Sequence, residues 1–362
     1  MDNLPAPLQN FYEGDFRAAD GKIAAGRVAE TTAERHQFWN YWQDYVKPFK
    51  VDPFLLKTPF ATKVRLATGF AERVRSGYYG NGNRVSCGRV QTALRAITQT
   101  CQLDHGQSPL HINKNEYLRP LTLLFSSYRR EDPVPVPELA APVSLVEQMF
   151  EQNTMEGTSP KAHAVADFGL IAFYYLLRIG EYTHKRRNGT TRTVQFRFKD
   201  VAFKKGNSIL PRNAPLSVLL TATSATLKLS NQKNGIRGSL IHRSSNSVRQ
   251  KYCPVKALAR RFHTLRQNNA DPDTLLSTYW DGGGKHQLQP DDMLEAIRVA
   301  AIQLKLETQG IPATRLGTHY LRAGGAMALK LAGADRDNIK NFGRWSSDTF
   351  LIYIHDQIAT YQ

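Results

Sequence analysis

The sequence predicts a mainly α-helical protein of two domains with a small β-sheet, and three observations support this. The chain has 362 residues, which at about 150 residues per domain is enough for two. Over most of its length, apolar residues recur at the three- and four-residue spacing of amphipathic helices. Short alternating runs occur between residues 193 and 245, with an Asn-Gly pair between two of them that is typical of a hairpin.

The first 130 residues predict an arm followed by a helical domain. Residues 1–30 are polar and small, and we expect them to form a loosely ordered arm. Aromatic residues then recur at helical spacing from Glu34 to Tyr45. Two further helices are predicted through Val64–Val74 and Val85–Ile97, with SGYYGNGN as the break between them. We therefore expect a small helical domain over residues 31–130.

A proline-rich stretch marks the domain boundary. The segment EDPVPVPELAAPVS carries four prolines in ten residues, at positions 133, 135, 137 and 142. Such a segment is stiff and extended, and it can be neither a helix nor a central strand. The sequence therefore predicts a linker at residues 131–145 and a larger domain over residues 146–362.

The larger domain mixes helical and strand patterns. Residues 160–182 predict one buried helix, and the runs TVQFRFKDVAFKK, ATLKLS and GSLIHRSS predict strands. From Pro254 onward the pattern is helical again.

The net charge of the chain indicates which class of partner it binds. The chain has 48 Lys and Arg against 31 Asp and Glu, a net charge of +17, and a pI near 9.8. An excess of this size favours a polyanionic partner, nucleic acid first and an acidic membrane surface second. The membrane is the weaker alternative because no apolar run approaches the roughly 18 residues that span a bilayer. The start of the chain does not resemble a signal peptide, and three scattered cysteines indicate a reducing, intracellular compartment.

Several kinds of active site are excluded by their missing motifs. The sequence has no Gly-rich phosphate loop, no His-Glu-x-x-His and no Gly-x-Ser-x-Gly, so we expect no metal and no cofactor. The acidic cluster Asp291, Asp292 and Glu295 fits a solvated helix start better than a two-metal nuclease site.

What remains is a set of basic and polar residues in unusual contexts. Arg178 ends the apolar helix, and Glu181 is placed to hold it, either as a structural ion pair or as part of a site. His319 and Arg322 are three residues apart, so on a helix they could reach one anion together. Lys233 lies in the predicted hairpin turn, and Tyr353 is either core filler or chemically active.

The order of these motifs resembles the catalytic domain of tyrosine recombinases, the phage-type integrases. R-x-G-E follows an apolar helix, and a hairpin lysine, H-x-x-R, G-x-W-S-S and a tyrosine come after it, over about 180 residues. The whole chain is similar to the family's plan of a helical, SAM-like core-binding domain, a linker and an α+β catalytic domain. The phrasing GRWSSDTFLIYI looks closest to recombinases of eukaryotic Crypton-type elements.

The resemblance implies a role for each residue. Arg178 and Arg322 would stabilise the charge on the phosphorane, and His319 would donate to it or accept the nucleophile's proton. Trp345 stands where many relatives carry a second histidine, and its indole N–H would bind the same phosphate. Lys233 would protonate the leaving 5′ oxygen, and Tyr353 would attack phosphorus and hold the 3′ end.

The resemblance also implies the partners. The substrate would be double-stranded DNA, with self-association on DNA from dimer to tetramer, and the protein would be nuclear in a eukaryote or lie in the cytoplasm or nucleoid otherwise. Candidate DNA contacts are the basic residues of the predicted helices and of one later run: Arg75, Arg84, Arg89, Arg95, Lys185 and Arg186.

Two departures and two alternatives accompany this prediction. The gap from Trp345 to Tyr353 is eight residues, about one shorter than in typical relatives, and nine residues follow Tyr353, where many relatives have a longer tail. A type IB topoisomerase has a similar set of cations and a tyrosine. A domesticated DNA-binding protein would keep the fold without cleaving.

Overall fold

The computed structural model describes residues 5–25, 29–113, 116–134, 140–184, 193–230 and 238–351. They divide into two compact units, one up to residue 134 and one from residue 140 onward. The prediction of a mainly α fold with a small β-sheet is confirmed. None of the described helices is long and apolar enough to cross a membrane.

Among its described residues, the first unit contains five α-helices and a two-stranded antiparallel sheet of β1 (His111–Asn113) and β2 (Glu116–Tyr117). Its helices are α1 (Ala6–Ala25), α2 (Ala29–Val46), α3 (Phe60–Arg75), α4 (Cys87–His105) and α5 (Arg119–Glu131).

Helices α2 to α5 enclose one aromatic core. Trp42 of α2 is fully buried and meets Phe70 of α3 edge to face, with ring centroids 5.2 Å apart. Leu94 of α4 and Phe125 of α5 belong to the same cluster. The three helices predicted from aromatic and aliphatic spacing are present, since that spacing places these side chains on one face.

Within the predicted arm, residues 6–25 form helix α1. Small and charged residues of this kind, such as Ala18, Ala19 and Lys22, favour a helix even without a continuous apolar face. Arg17 and Glu13 are spaced by four and form an ion pair of 2.8 Å on its surface.

The second unit contains eight helices and two antiparallel sheets among its described residues. Its helices are α6 (Val143–Gln152), α7 (Pro160–Tyr174), α8 (Ile179–Tyr182), α9 (Leu216–Leu219), α10 (Pro254–Gln267), α11 (Pro290–Gln303), α12 (Tyr320–Leu331) and α13 (Arg336–Gly343). Its strands are β3 (Val201–Lys205), β4 (Ser208–Ile209), β5 (Ser224–Leu229), β6 (Ser239–Ser244), β7 (Thr278–Asp281) and β8 (Gly284–Gln287).

The larger sheet has the order β4-β3-β5-β6, with every neighbouring pair antiparallel. Strands β5 and β6 form the hairpin that the Asn-Gly pair predicts, and their register ends at the pair Leu229 and Ser239. The run TVQFRFKDVAFKK is a strand only from Val201, because Phe198–Asp200 forms a turn of 3₁₀ helix before it. The hairpin of β7 and β8 was not predicted, because apolar and polar residues do not alternate regularly in its two strands.

Helix α7 runs through the centre of the second unit. Its residues from Ala164 to Phe173 are buried, and α6, α10 and α12 all contact it. Two glycines of α12, Gly324 and Gly325, lie directly against backbone carbonyls of neighbouring segments. A Cβ on Gly324 would collide with the Ala141 carbonyl, and one on Gly325 would collide with the Phe173 carbonyl.

The prediction of one continuous helix over residues 160–182 is wrong. Helix α7 ends at Tyr174, and Leu176 has a left-handed backbone with φ +51° before α8 begins at Ile179. A left-handed residue cannot continue a right-handed helix, so the chain changes direction here. Arg178 therefore lies in a break between two helices, where backbone groups are free to accept side-chain hydrogen bonds.

Candidate active site

Arg178 and Glu181 form the first part of the site. Arg178 is the N-cap of α8, and its backbone N–H donates to Glu181 Oε2 at 2.9 Å. Its guanidinium Nη1 donates to Oε1 of the same carboxylate at 3.2 Å. The Glu181 side chain is fully buried, whereas that of Arg178 is 19% exposed. The predicted pairing is thus present, and it holds a partly exposed guanidinium at the edge of a buried carboxylate.

Arg322 joins the same region from the other half of the domain. It lies on α12, is 5% exposed, and donates from Nη1 to the Leu176 carbonyl at 2.6 Å. Its Nη2 donates to the carbonyl of Gly343 at the end of α13. The acceptor in the break after α7, Leu176, is two residues before Arg178 in the chain, so this hydrogen bond brings Arg322 into the region of Arg178.

Trp345 lies against Arg322. The guanidinium carbon of Arg322 is 4.4 Å from the centroid of the indole ring, within the range of a cation–π interaction. The indole also packs against Phe350, at 5.3 Å between ring centroids. A Cβ on Gly343 would overlap the indole ring, so this position needs glycine for steric reasons. Trp345 thus holds Arg322 in place in this structure.

Arg344 is a residue of this site that the sequence interpretation missed. Its Nη2 donates to the Leu176 carbonyl at 2.9 Å and to Glu181 Oε2 at 3.0 Å. Its side chain is only 9% exposed. In the sequence, the sign of this residue was its position between the motif residues Gly343 and Trp345. The pattern G-x-W treats that position as variable.

Burial lowers the pKa of the Arg344 guanidinium from its usual value, and Arg178 lowers it further while Glu181 opposes the shift. Arg243 on β6 lies close enough to Arg344 for the two charges to interact. Burial lowers its pKa to about 10, and the positive charge of Arg344 adds to this effect. Its Nε donates to the carbonyl of Tyr174, the last residue of α7, at 2.7 Å. The break after α7 is therefore surrounded by several guanidinium groups.

His319 occupies the N-cap of α12 and is exposed. The His319 side chain makes no capping hydrogen bond. Its carbonyl accepts the N–H of Ala323 at 3.0 Å, which starts the helix that carries Arg322.

Two predicted catalytic residues and two predicted DNA contacts lie outside the described residues: Lys233, Tyr353, Lys185 and Arg186. For these four positions the sequence prediction stands without a structural counterpart.

The prediction that Arg75 contacts DNA needs correction. Its side chain is 2% exposed, pairs with Asp132, and donates from Nη2 to the Tyr128 carbonyl at 3.2 Å. The Asp132 carboxylate already balances the charge of this buried guanidinium, which argues against a contact with DNA. Its position at the end of α3 suggested exposure, but α5 covers it.

The other three predicted DNA contacts of the first unit are on its surface. Arg84 pairs with Glu131, Arg89 pairs with Glu34, and both remain about half exposed. Arg95 is exposed on α4. These three positions are accessible to a polyanion.

The acidic cluster is a helix start, as predicted. Asp292 accepts the Gln289 N–H at 2.8 Å and pairs with Lys161 at 3.0 Å. Within the described part of the chain, no group of three or more His, Cys, Asp or Glu could hold a metal ion. The cysteines Cys87, Cys101 and Cys253 are buried and free.

Comparisons with known proteins give only distant likenesses. No protein-family model and no curated protein matches the chain. The chain is similar to the Tn1549 transposon integrase in complex with transposon right end DNA, with 12% identity, 82% of each chain covered and a TM-score of 0.45. It is also similar to the XerA recombinase, with 11% identity, 94% of this chain and 93% of that chain covered, and a TM-score of 0.37. Any statement about function must therefore come from the residues of this chain.

Proposed function

We propose that the chain is a site-specific DNA recombinase or integrase that cleaves and rejoins strands through a 3′-phosphotyrosine. One observation carries this function: Arg178 and Arg322, distant in sequence, are held in one hydrogen-bonded network around Leu176 and Glu181. Two guanidinium groups so placed are suited to the non-bridging oxygens of a phosphorane.

The chemistry requires two bond changes at phosphorus in each half-reaction. The Tyr353 oxygen attacks the phosphodiester, and the bond from phosphorus to the 5′ oxygen breaks. Lys233 gives its proton to that 5′ oxygen, and His319 accepts the proton of the tyrosine hydroxyl or donates to the phosphate. The phosphotyrosine keeps the energy of the original ester, and a 5′ hydroxyl of another strand reverses the steps.

The arginines stabilise the charge that this reaction develops. In the transition state the phosphate carries more negative charge than in the substrate, and fixed cations lower its energy without reorganisation. Glu181 and the carbonyls of Leu176 and Gly343 fix the guanidinium groups in advance. Trp345 packs on Arg322 and restricts it further.

A suicide substrate tests the proposed function. Duplex DNA is nicked next to the cleavage position, so that a short 5′-hydroxyl fragment diffuses away and the 3′-phosphotyrosine accumulates. Because this chain's target sequence is unknown, a pool of nicked duplexes with randomised flanks is the probe. We expect a covalent adduct with the native protein and none with Tyr353→Phe.

Tyr361→Phe is the matched control, since it removes the other tyrosine of the closing stretch. An adduct that persists in Tyr353→Phe and disappears in Tyr361→Phe would overturn the assignment of the nucleophile. Relaxation of supercoiled plasmid by dilute monomer without recombinant products would indicate a topoisomerase. Binding without any adduct would indicate a non-cleaving DNA-binding protein.

The wider context of the activity is part of the same proposal. The net charge of +17 supports a DNA partner, and the free buried cysteines fit a reducing intracellular compartment, the nucleus in a eukaryotic host. Origin in a mobile element of the Crypton type and assembly from dimer to tetramer on DNA rest on the sequence motifs. Sedimentation of the protein with a cleavable duplex measures that assembly, and a complex that stays monomeric would contradict it.

A further inference from the structure

Arg344 has a backbone conformation that arginine seldom adopts. Its φ and ψ are 59° and 43°, the left-handed region, at the C-cap of α13. Glycine or asparagine is usual at such a helix end, because a Cβ is strained there. In the tripeptide Gly343-Arg344-Trp345 the glycine lies one position earlier, where the Trp345 ring leaves no space for a Cβ. An arginine that occupies a strained position next to the site needs a reason that lies in its side chain.

The side chain of Arg344 bridges the two parts of the site. One nitrogen, Nη2, donates both to the Leu176 carbonyl at 2.9 Å and to Glu181 Oε2 at 3.0 Å. The Leu176 carbonyl also accepts from Arg322, and the Glu181 carboxylate also accepts from Arg178. Arg344 therefore contacts the acceptor of each predicted catalytic arginine.

Glu181 is the group through which this bridge acts on Arg178. The carboxylate is fully buried, with Arg178 on Oε1 and with Arg344 and the Arg178 backbone N–H on Oε2. If Arg344 were absent, the carboxylate would lose a charged partner and could rotate toward the remaining one. Such a rotation would move the hydrogen bond that orients the Arg178 guanidinium.

The hydrogen bonds of Arg344 to the Leu176 carbonyl and to Glu181 both come from one nitrogen of its guanidinium. Nε and Nη1 of Arg344 are buried and have no acceptor among the described residues. Buried donors without partners are rare, because each one costs desolvation free energy. Arg344 thus keeps part of its donor capacity unused while it fixes Glu181 and Leu176.

We propose that Arg344 is a positioning residue that holds Arg178, through Glu181, and Arg322, through the Leu176 carbonyl, in the relative placement that one phosphate requires. This role rests on the proposed function of the site. Arg344 itself makes no contact with the reacting atoms in this scheme.

The decisive variant is Arg344→Gly. Glycine suits the left-handed backbone, so this substitution removes the side chain while it relieves strain, and the fold should be retained. Lys305→Gly is the matched control, because Lys305 is also a cationic residue with a left-handed backbone, φ 52°, and it is exposed outside the site. Both variants lose one positive charge, so their nonspecific affinity for DNA should fall equally.

Cleavage of the nicked suicide duplex is the first measurement. We expect Arg344→Gly to slow single-turnover cleavage at saturating DNA by about 100-fold, the scale of a misplaced catalytic group. Its dissociation constant for DNA should stay within about threefold of that of Lys305→Gly. We expect Lys305→Gly itself to cleave at the native rate. Added guanidinium ion should restore part of the rate in Arg344→Gly and should not change the rate of Lys305→Gly.

The NMR signals of the Arg178 guanidinium are the second measurement, and they need no catalysis. In the native protein the ion pair with Glu181 should slow rotation about the Nε–Cζ bond and separate the two Nη signals. We expect these signals to merge in Arg344→Gly and in Glu181→Gln, but not in Lys305→Gly.

The two measurements separate the possible failures. If the native protein forms no adduct, the proposed function fails, and the Arg178 signals alone decide whether Arg344 positions that residue. Native-rate cleavage by Arg344→Gly, or unchanged Arg178 signals in that variant, would overturn the positioning role. A rate loss that guanidinium ion does not rescue, with unchanged signals, would also overturn it.

Discussion

The two units each contain a group of linked arginines, and the two groups differ in charge balance. In the first unit, Arg75 and Arg84 share two carboxylates, Asp132 and Glu131. In the second unit, Arg178 and Arg344 share the single carboxylate of Glu181. The first group is therefore neutral, and the pair in the second group retains one positive charge.

This difference separates structural arginines from candidate catalytic ones. A guanidinium whose charge is balanced by its own carboxylates has little to gain from a phosphate. A guanidinium that shares a carboxylate, or is held by carbonyls as Arg322 is by Leu176 and Gly343, retains its attraction for an anion. Burial alone does not distinguish the two, since Arg75 and Arg322 are 2% and 5% exposed.

The largest effect is expected for Arg322→Lys. Lysine keeps the charge but cannot donate in parallel to Leu176, Gly343 and a phosphate. We expect single-turnover cleavage to fall by about 1,000-fold, near the upper range for loss of one donor to a developing anion. The dissociation constant for DNA, measured by fluorescence anisotropy, should change by less than about threefold, because other phosphate contacts dominate affinity.

An equal loss of cleavage and DNA binding in Arg322→Lys would contradict the comparison. It would show that Arg322 anchors the DNA and does not act on the transition state. A thermal melt of the variant is the control for folding, because Arg322 is buried.

The next largest effect is a loss of stability in Arg75→Met. Removal of this guanidinium leaves Asp132 without its ion-pair partner in a position where its side chain is 20% exposed. We expect unfolding free energy to fall by about 3 kcal/mol, the lower end for a broken buried pair, because the carboxylates are partly solvated. Urea denaturation gives the value.

Arg84→Met is the matched control for this experiment. Arg84 pairs with the same Glu131 but is 56% exposed, so its loss should cost less than about 1 kcal/mol. At saturating DNA, neither variant should change the cleavage rate per folded molecule. A large rate loss in Arg75→Met, corrected for folding, would place Arg75 in the catalytic group after all.

A smaller effect is expected for Gly343→Ala. The added methyl group overlaps the Trp345 ring, which must move away from Arg322. Overpacking of this kind costs about 1–3 kcal/mol, measured by urea denaturation. In a double-mutant cycle, Gly343→Ala in a Trp345→Ala background should cost much less, and an additive result would exclude the overlap as the cause.

The smallest effect concerns the pH dependence of the first unit. The backbone N–H of Cys87, together with the Arg75 guanidinium, holds the pKa of Asp132 below its usual value. A carboxyl whose pKa is lower in the folded state stabilises the protein above its unfolded pKa of about 3.9, and this contribution is lost as the pH falls through the folded pKa. The melting temperature of Asp132→Asn should therefore decline less steeply below pH about 4 than that of the native protein. Parallel declines would show that Asp132 does not contribute.

The sequence predicts helices and contacts between residues close in the chain well, because both depend on local geometry. Periodic apolar residues determine α2, α3 and α4 locally, and Arg178 with Glu181 are three residues apart, so their contact follows from local geometry. The Asn-Gly pair likewise predicts the hairpin of β5 and β6.

Contacts between distant segments could not be predicted in this way. The burial of Arg75 depends on Asp132, and the role of Arg344 depends on Leu176, 168 residues before it. The left-handed backbone of Leu176 gave no signal either, because leucine strongly favours helices and the surrounding run is apolar. Tertiary packing decides these features.

Gly324 and Gly325 fix the position of α12 relative to the backbone of the segments packed against it. Backbone carbonyls touch the helix at both glycines, so α12 cannot slide along its axis without collision. The backbone of Arg322 therefore cannot move independently of Leu176. Separation of the two residues would require the core around α7 to open. Amide hydrogen exchange along α12 should accordingly be as slow as global unfolding, in contrast to the faster local opening typical of binding loops.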